Sequence, residues 1–362
     1  MTSEKTLTSR PKINKAQIAL LEKLSNAVGV SGCEDEVRDI VIESIKPYIN
    51  EYRVDAMGNV LAVKHASIKN ALRVMFAAHM DEVGFMLVEE DDKGIFAFEP
   101  VGGMDERQLA AKPVIAGKDH IPGVIGAKPI HLAIAEETRH PISMESLRID
   151  VSPANSGRLK IGDFATFATR FQHSGGSLFG KALDDRLGVA SLIELTKKKA
   201  DHLEILFAFT VQEEIGLRGA RVAAYDFNPD LAFVVDSTPA FDFPAYEANV
   251  ENSRYNCRLG FGPAIYVADA GTLSDPRLIR FLTKIAEENH IPYQFRQPGG
   301  GGTDAGAIHL TRTGVPAVSI SVPGRYAHSP ILHAKVKDWE NTLALLEAIL
   351  NNVDRSILAE ER

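Results

Sequence analysis

The 362-residue sequence predicts an α/β protein: a mostly parallel-containing mixed sheet flanked by helices on both faces, with a small inserted β-barrel-like domain. Three observations predict it. Apolar β-type runs alternate with helical patterns in two separate stretches of the chain. Between those stretches, from about Gly84 to His173, the texture changes to short β-type runs broken by turns such as Asp91-Asp-Lys-Gly and Ile121-Pro-Gly. The chain is also 45% hydrophobic, enough for a sizeable core divided between two domains. The expected division is a discontinuous α/β domain, residues 1–83 and 174–362, around a β-rich insertion at 84–173.

Two helices open the chain. Ile18, Leu20, Leu21 and Leu24 recur at helical spacing in Lys15 to Val28, and Glu34 to Ile45 repeats the pattern after a break at Ser31-Gly32. A hairpin follows, with Arg53-Val-Asp and Val60-Leu-Ala-Val on either side of Gly58-Asn59, and then an apolar strand from Leu72 to Ala78. In the insertion, Gly102-Gly103 and Gly175-Gly176 read as turns or as hinges. Beyond it come a helix from Asp185 to Lys199 and strands Leu203 to Val211, Leu231 to Val235 and Ala317 to Val322. Helices at Ser274 to Asn289 and Lys337 to Val353 complete the set. The first of these begins Ser-Asp-Pro, a capping residue next to a first-turn proline.

Composition narrows the function classes. A net charge of -8, from 48 acidic and 40 basic residues, offers no footprint for nucleic acid or an anionic membrane. Two cysteines, Cys33 and Cys257, are too few for a disulfide framework, which suits a reducing cytoplasm. No export signal is read, and no run reaches the ~18 apolar residues of a membrane span.

Glu213 and Glu214 stand side by side at the end of the apolar Ile205 to Val211 run. Unpaired charge buried there costs several kcal/mol, so a cation is expected at that strand end. His79, Asp236 and the glutamate pair each fall at or just past the end of a predicted core strand. His328 follows another by a short loop, and Asp184 sits where the Asp185 to Lys199 helix opens. Taken singly, these are a satisfied interior histidine, a turn residue, a loop histidine and a helix cap. Their shared position at the carboxyl ends of strands, where open α/β sheets bind ligands, reads instead as one site. Two imidazoles with carboxylates and no thiolate suit zinc or cobalt. With Asp184, Glu214 and Asp236 ionised, one divalent ion leaves a charge of -1, whereas two leave +1, which hydroxide neutralises. Two ions with Asp184 as their bridge are therefore expected, with Asp81 orienting the His79 ring. The reading requires the strand to end near Gln212, because strand neighbours otherwise point to opposite faces. The Gly299-Gly-Gly-Gly-Thr-Asp run lacks the Gly-Lys-Ser/Thr ending of a phosphate loop and reads as backbone lining a cleft. Arg325 and Tyr326 either line that cleft or lie on the surface.

Six stretches carry a resemblance that covers nearly the whole chain: Ala78-His-Met-Asp-Glu-Val-Gly, Lys181-Ala-Leu-Asp-Asp-Arg, Val211-Gln-Glu-Glu-Ile-Gly-Leu-Arg-Gly-Ala, Asp236-Ser-Thr-Pro, Gly302-Thr-Asp-Ala-Gly-Ala and Arg325-Tyr-Ala-His-Ser-Pro. In this order they resemble the co-catalytic di-metal aminopeptidases that include bacterial glutamyl aminopeptidase and the archaeal tetrahedral enzymes. The resemblance implies a zinc-exopeptidase-like catalytic domain, with His79 and Asp236 on one metal, Glu214 and His328 on the other, and Asp184 on both. It makes Glu213 the general base and implies a cis peptide between Asp184 and Asp185. It further implies dimerisation through the inserted domain, often toward a hollow dodecamer. Ala327, where many relatives carry a larger residue, departs from the pattern and bears on substrate preference.

The expected activity is removal of amino-terminal residues from short peptides, with Glu213 and Asp81 as the catalytic pair around the metals. The alternatives are a metal-dependent deacylase of small N-acylated substrates, a glycosidase or a non-catalytic scaffold. A glycosidase needs two carboxyl groups ~5 to 9.5 Å apart across a bond, which adjacent residues do not readily supply.

Overall fold

A computed structural model describes residues 10–134, 139–140, 142–244, 256–297 and 300–362. Two helices, α1 (Lys15–Asn26) and α2 (Asp35–Ile45), precede strands β1 (Glu51–Val54), β2 (Val60–Lys64) and β3 (Leu72–His79). Six strands then close a barrel: β4 (Gly84–Asp92), β5 (Ile95–Val101), β6 (Pro113–Ala116), β7 (Ile121–Gly126), β8 (Arg148–Asp150) and β9 (Phe164–Phe167). The chain returns through β10 (Gln172–Ser174) and β11 (Ser177–Gly180) to α3 (Leu183–Thr196), β12 (Leu203–Thr210), α4 (Arg218–Phe227) and β13 (Leu231–Pro239). It ends with β14 (Ala264–Tyr266), α5 (Pro276–Glu288), β15 (Gln294–Arg296), α6 (Ala305–Ile308), β16 (Ala317–Arg325), β17 (Leu332–Lys335) and α7 (Val336–Asn352).

The large sheet has eleven strands in the order β1-β2-β12-β3-β13-β16-β17-β11-β10, with β14 beside β16 and β15 beside β14. Its centre, β12-β3-β13-β16, is parallel, and β2, β14 and β17 join it antiparallel. The mixed α/β sheet and the closed β insertion match the expected fold class. Phe76 shows how the centre holds together. It is the register partner of both Phe207 and Phe233, and the three rings stack at centroid distances of 6.0 and 5.5 Å. Helix α3 is buried along nearly its whole length because it lies between the sheet and the outer helices, where Ser191 accepts a hydrogen bond from the Trp339 indole at 2.9 Å. The barrel has its own core, with Phe85 edge-on to Phe98 and Phe167.

Three details differ from expectation. β13 runs on to Pro239, so Asp236 lies within the strand rather than past its end. Helix α4 had not been expected, although Ala220, Ala223, Ala224 and Phe227 bury at helical spacing. The 172–174 segment pairs with β11 in the large sheet, so the barrel strands end at Phe167. No described helix is long and apolar enough to cross a membrane.

Candidate metal and catalytic site

The parallel strands bring five separated segments to one rim. His79 closes β3 and is almost fully buried. Its Nε2 lies 3.4 Å from Asp184 Oδ1 and 3.6 Å from Asp236 Oδ1, while Nδ1 faces Asp81 Oδ1 at 3.5 Å. On the other side of Asp184, His328 Nε2 lies 3.7 Å from Asp184 Oδ2 and 3.3 Å from Glu214 Oε2. Asp184 thus offers one oxygen to each imidazole.

Local backbone explains how adjacent residues share the site. β12 stops at Thr210, Gln212 takes a positive φ of 56°, and Glu213 begins a turn whose carbonyl accepts from both Gly216 and Leu217. The strand alternation that would have separated Glu213 from Glu214 has ended by that point. Asp81 fixes the turn: its Oδ1 accepts from Glu213 N at 3.0 Å, and its Oδ2 accepts from Glu214 N at 3.2 Å and from Ser31 Oγ at 2.5 Å. Asp81 therefore holds the glutamate pair in place and faces the His79 ring. The Asp184–Asp185 peptide is cis, as the resemblance implied.

The barrel also reaches the rim. Gly103 O lies 2.8 Å from His328 Nδ1, which directs Nε2 inward. Gly102 must be glycine here, because its φ is +87° and an added Cβ would stand 2.7 Å from Val83 Cγ1 and 3.3 Å from Glu214 Cβ. Arg325 pairs with Asp242 at 2.5 Å, and Tyr326 is half-exposed at the margin. Ala327 packs against the main core.

Burial and neighbouring charge shift the carboxyl groups of the rim in opposite directions. Burial pushes the Glu214 carboxyl up to about 8, with Asp184 adding to the rise, and lifts Asp236 to about 6. Burial, reinforced by Asp236, Asp304 and Glu214, also holds Glu213 well above the usual carboxylate range. Burial works against Asp184 too, but hydrogen bonding and charge from His79 carry it below the ordinary value. Two sets, His79 with Asp185 and Asp236, and His79 with Asp184 and Glu214, place ligand atoms within 4.8 Å of one another. The His79 Nδ1 is buried without a hydrogen-bond partner, as is Asp185 Oδ2. This donor set of imidazoles and carboxylates fits divalent metal ions.

Two residues of the rim stand outside the ligand set and the catalytic pair expected from sequence. Asp185 is buried, caps Gly188 N at 2.9 Å and lies with the His79 and Asp236 ligand atoms. The Asp-Asp doublet was its signal. Asp304, met in sequence only as the end of the glycine-rich run, is buried, bonded by Thr210 Oγ1 at 2.5 Å and raised to about 7 chiefly by burial. Its signal is weak, since the glycine run before it reads as loop.

The family model of M42 glutamyl aminopeptidases matches residues 58–345. The chain belongs to this family. It is a metallo-aminopeptidase and hence a peptide hydrolase. Over 337 residues it is 39% identical to a putative aminopeptidase of Acetivibrio thermocellus, covering 91% of this chain and 97% of that one. The aminopeptidase APDkam598 from the archaeon Desulfurococcus kamchatkensis superposes with a TM-score of 0.88 at 35% identity, over 95% of this chain and 96% of that one. The TET1 peptidase of Pyrococcus horikoshii, described as assembling into a tetrahedron or a large octahedral shell, matches with a TM-score of 0.80 and 34% identity, over 92% and 98% of the two chains.

Proposed function

We propose that this aminopeptidase releases amino-terminal residues from short peptides using two divalent ions, zinc or cobalt. His79 and Asp236 would hold one ion, Glu214 and His328 the other, and Asp184 both. The observation that carries this reading is the Asp184 carboxylate, whose two oxygens each face a different imidazole. When bound, such ions polarise a carbonyl and lower the pKa of water toward ~7. Glu213 takes the proton of the attacking water and delivers it to the leaving amine, a role suited to a carboxyl that burial holds above its usual range. Asp81 keeps the His79 ring and the Glu213 turn in place. Asp185 caps the helix that presents Asp184.

We read residues 1–83 and 168–362 as the catalytic domain and 84–167 as an insertion through which copies pair, building from a dimer toward a dodecamer. The assembly described for the Pyrococcus horikoshii relative supports this, as do Ile130 and Leu132 beside the barrel, 80% and 62% exposed. Ile130→Glu with Leu132→Glu should lower the mass measured by light scattering; an unchanged mass contradicts pairing through this loop. Both described cysteines are free, in keeping with a cytoplasmic setting.

The test is hydrolysis of free and N-acetylated aminoacyl anilides by chelated enzyme and by enzyme reloaded with zinc or cobalt. Metal-restored activity on free-amine substrates alone is expected. Cleavage of acetylated substrates would instead indicate a deacylase.

A further inference from the structure

Asp236 does not stand alone on its face of the sheet. Asp236 on β13 is the register partner of Ser321 on β16, Ser321 pairs with Ala264 on β14, and Tyr266 pairs with Arg296 on β15. Because side chains alternate along strands, Thr238, Ser321, Tyr266 and Arg296 all share the face that carries Asp236. The Tyr266 hydroxyl donates to Thr238 Oγ1 at 3.0 Å, two residues beyond Asp236, so its ring links Arg296 to the rim. Three strand spacings, about 14 Å of backbone separation, lie between Asp236 and Arg296. Two long side chains meeting head to head span that gap, as does a short extended peptide at ~3.3–3.6 Å per residue.

Arg296 is built into this position yet incompletely satisfied. It is only 5% exposed. Its guanidinium lies 4.6 Å from the Tyr266 ring centroid, and Nη2 donates to Gly300 O at 2.7 Å. Nε and Nη1 are buried with no acceptor among the described residues. Leaving donors of a charged group unpaired is costly, and a structural role for Arg296 would be served by the ring and the Gly300 carbonyl alone. The loop that accepts from Nη2 has room beside it: a Cβ added at Gly300, Gly301 or Gly302 meets nothing within 4 Å. A carboxylate, charged and with two acceptor oxygens, is the group a guanidinium holds most strongly.

We propose that Arg296 is a specificity-determining residue that binds a carboxylate carried by the peptide substrate. The inference rests on the aminopeptidase reading above and extends it to the substrate's charge. That carboxylate is either the acidic side chain of the first residue or the carboxyl terminus of a very short peptide. Hydrogen bonds to a charged group predict its cost of removal as about 10- to 150-fold in kcat/KM.

The experiment compares the metal-loaded protein with Arg296→Ala and Arg296→Lys on glutamyl, alanyl and leucyl anilides, and on trialanine as free acid and as amide. For Arg296→Ala the expected loss falls on glutamyl anilide or on the trialanine acid, mainly through KM, with the neutral counterparts changed less than about 3-fold. Arg296→Lys should recover part of it, because a lysine keeps the charge without the fork. Loss confined to the glutamyl substrate assigns the side chain, and loss confined to the free acid assigns the carboxyl terminus. Equal loss on every substrate, or none, overturns the inference while leaving the aminopeptidase reading intact. If Arg296→Ala does not fold by thermal melting, the same acid-to-neutral ratio is read from Arg296→Lys. Wild-type protein that cleaves no free-amine substrate overturns the parent reading and this inference together.

Discussion

Two buried charge clusters share the same short stretches of chain and differ in how they are neutralised. From His79 to Glu82, and again from Lys181 to Arg186, some residues go to the metal rim and others to a support behind it. In the support, Glu82 accepts from Lys181 at 2.6 and 2.9 Å, from Thr166 at 2.9 Å and from Gly29 N at 3.0 Å, and Arg186 spans Glu82 and the carbonyls of Met80 and Leu24. Every charge there meets an opposite charge or a dipole within the chain. At the rim, His79, Asp184, Glu214, Asp236 and His328 face chiefly one another. The difference teaches that this fold can neutralise buried carboxylates with its own lysine and arginine, and that at the rim the task is left to cations from outside.

The largest expected effect that sharpens the comparison is on turnover. Glu213→Gln should keep the metals, measured by elemental analysis, and lose ~10²- to 10⁴-fold in kcat, the usual value of general-base assistance. Full activity with metals bound would remove Glu213 from the chemistry.

Next comes stability. Glu82→Ala strands Lys181 and Arg186 without their carboxylate and should cost about 3–5 kcal/mol in denaturant unfolding. Glu214→Gln in chelated protein should leave the midpoint equal or higher, since it removes a carboxyl that burial already disfavours as an anion. Equal destabilisation by both substitutions would break the distinction between the clusters.

The pH dependence follows with a definite sign. In metal-free protein the Glu214 pKa rises from 4.5 to about 8 and that of Asp236 from 3.8 to about 6. Between the ordinary and raised values the folded state holds protons that the unfolded chain has released. Stability of the chelated protein should therefore fall as pH rises from about 4 to about 8. Metal loading holds these carboxylates ionised and should remove the fall. Melting midpoints across pH, with and without metal, test this; a flat profile for chelated protein would count against it.

The smallest effect belongs to the joint between the clusters. Ser31→Ala removes one bond to Asp81 but leaves both backbone donors, so about 1 kcal/mol and less than ~10-fold in turnover are expected. A larger loss of turnover with unchanged stability would give Ser31 a role beyond holding Asp81.

The rim was legible in sequence because its residues end strands that are strongly apolar: His79 after Leu72–Ala78, and the glutamate pair after Leu203–Thr210. Strand ends of a parallel sheet converge, so chain order became spatial order. The support was not legible. Glu82, Lys181 and Arg186 look like any surface charges until the fold shows that α1, β3, the barrel and α3 meet around them. Asp304 and Arg296 escaped for a related reason: they belong to a glycine-rich loop and a three-residue edge strand, whose course is set by long-range packing rather than local periodicity.

The hydrogen bond between Gly103 and His328 joins positions 225 apart in the chain. During synthesis, the carbonyl that aims this imidazole is made long before the ring it aims. Closing so long a loop carries an entropic cost that must be met by contacts formed late. A partly made chain therefore does not possess a complete rim. Peptide-cutting capacity is thus confined to chains that have already brought their distant segments together.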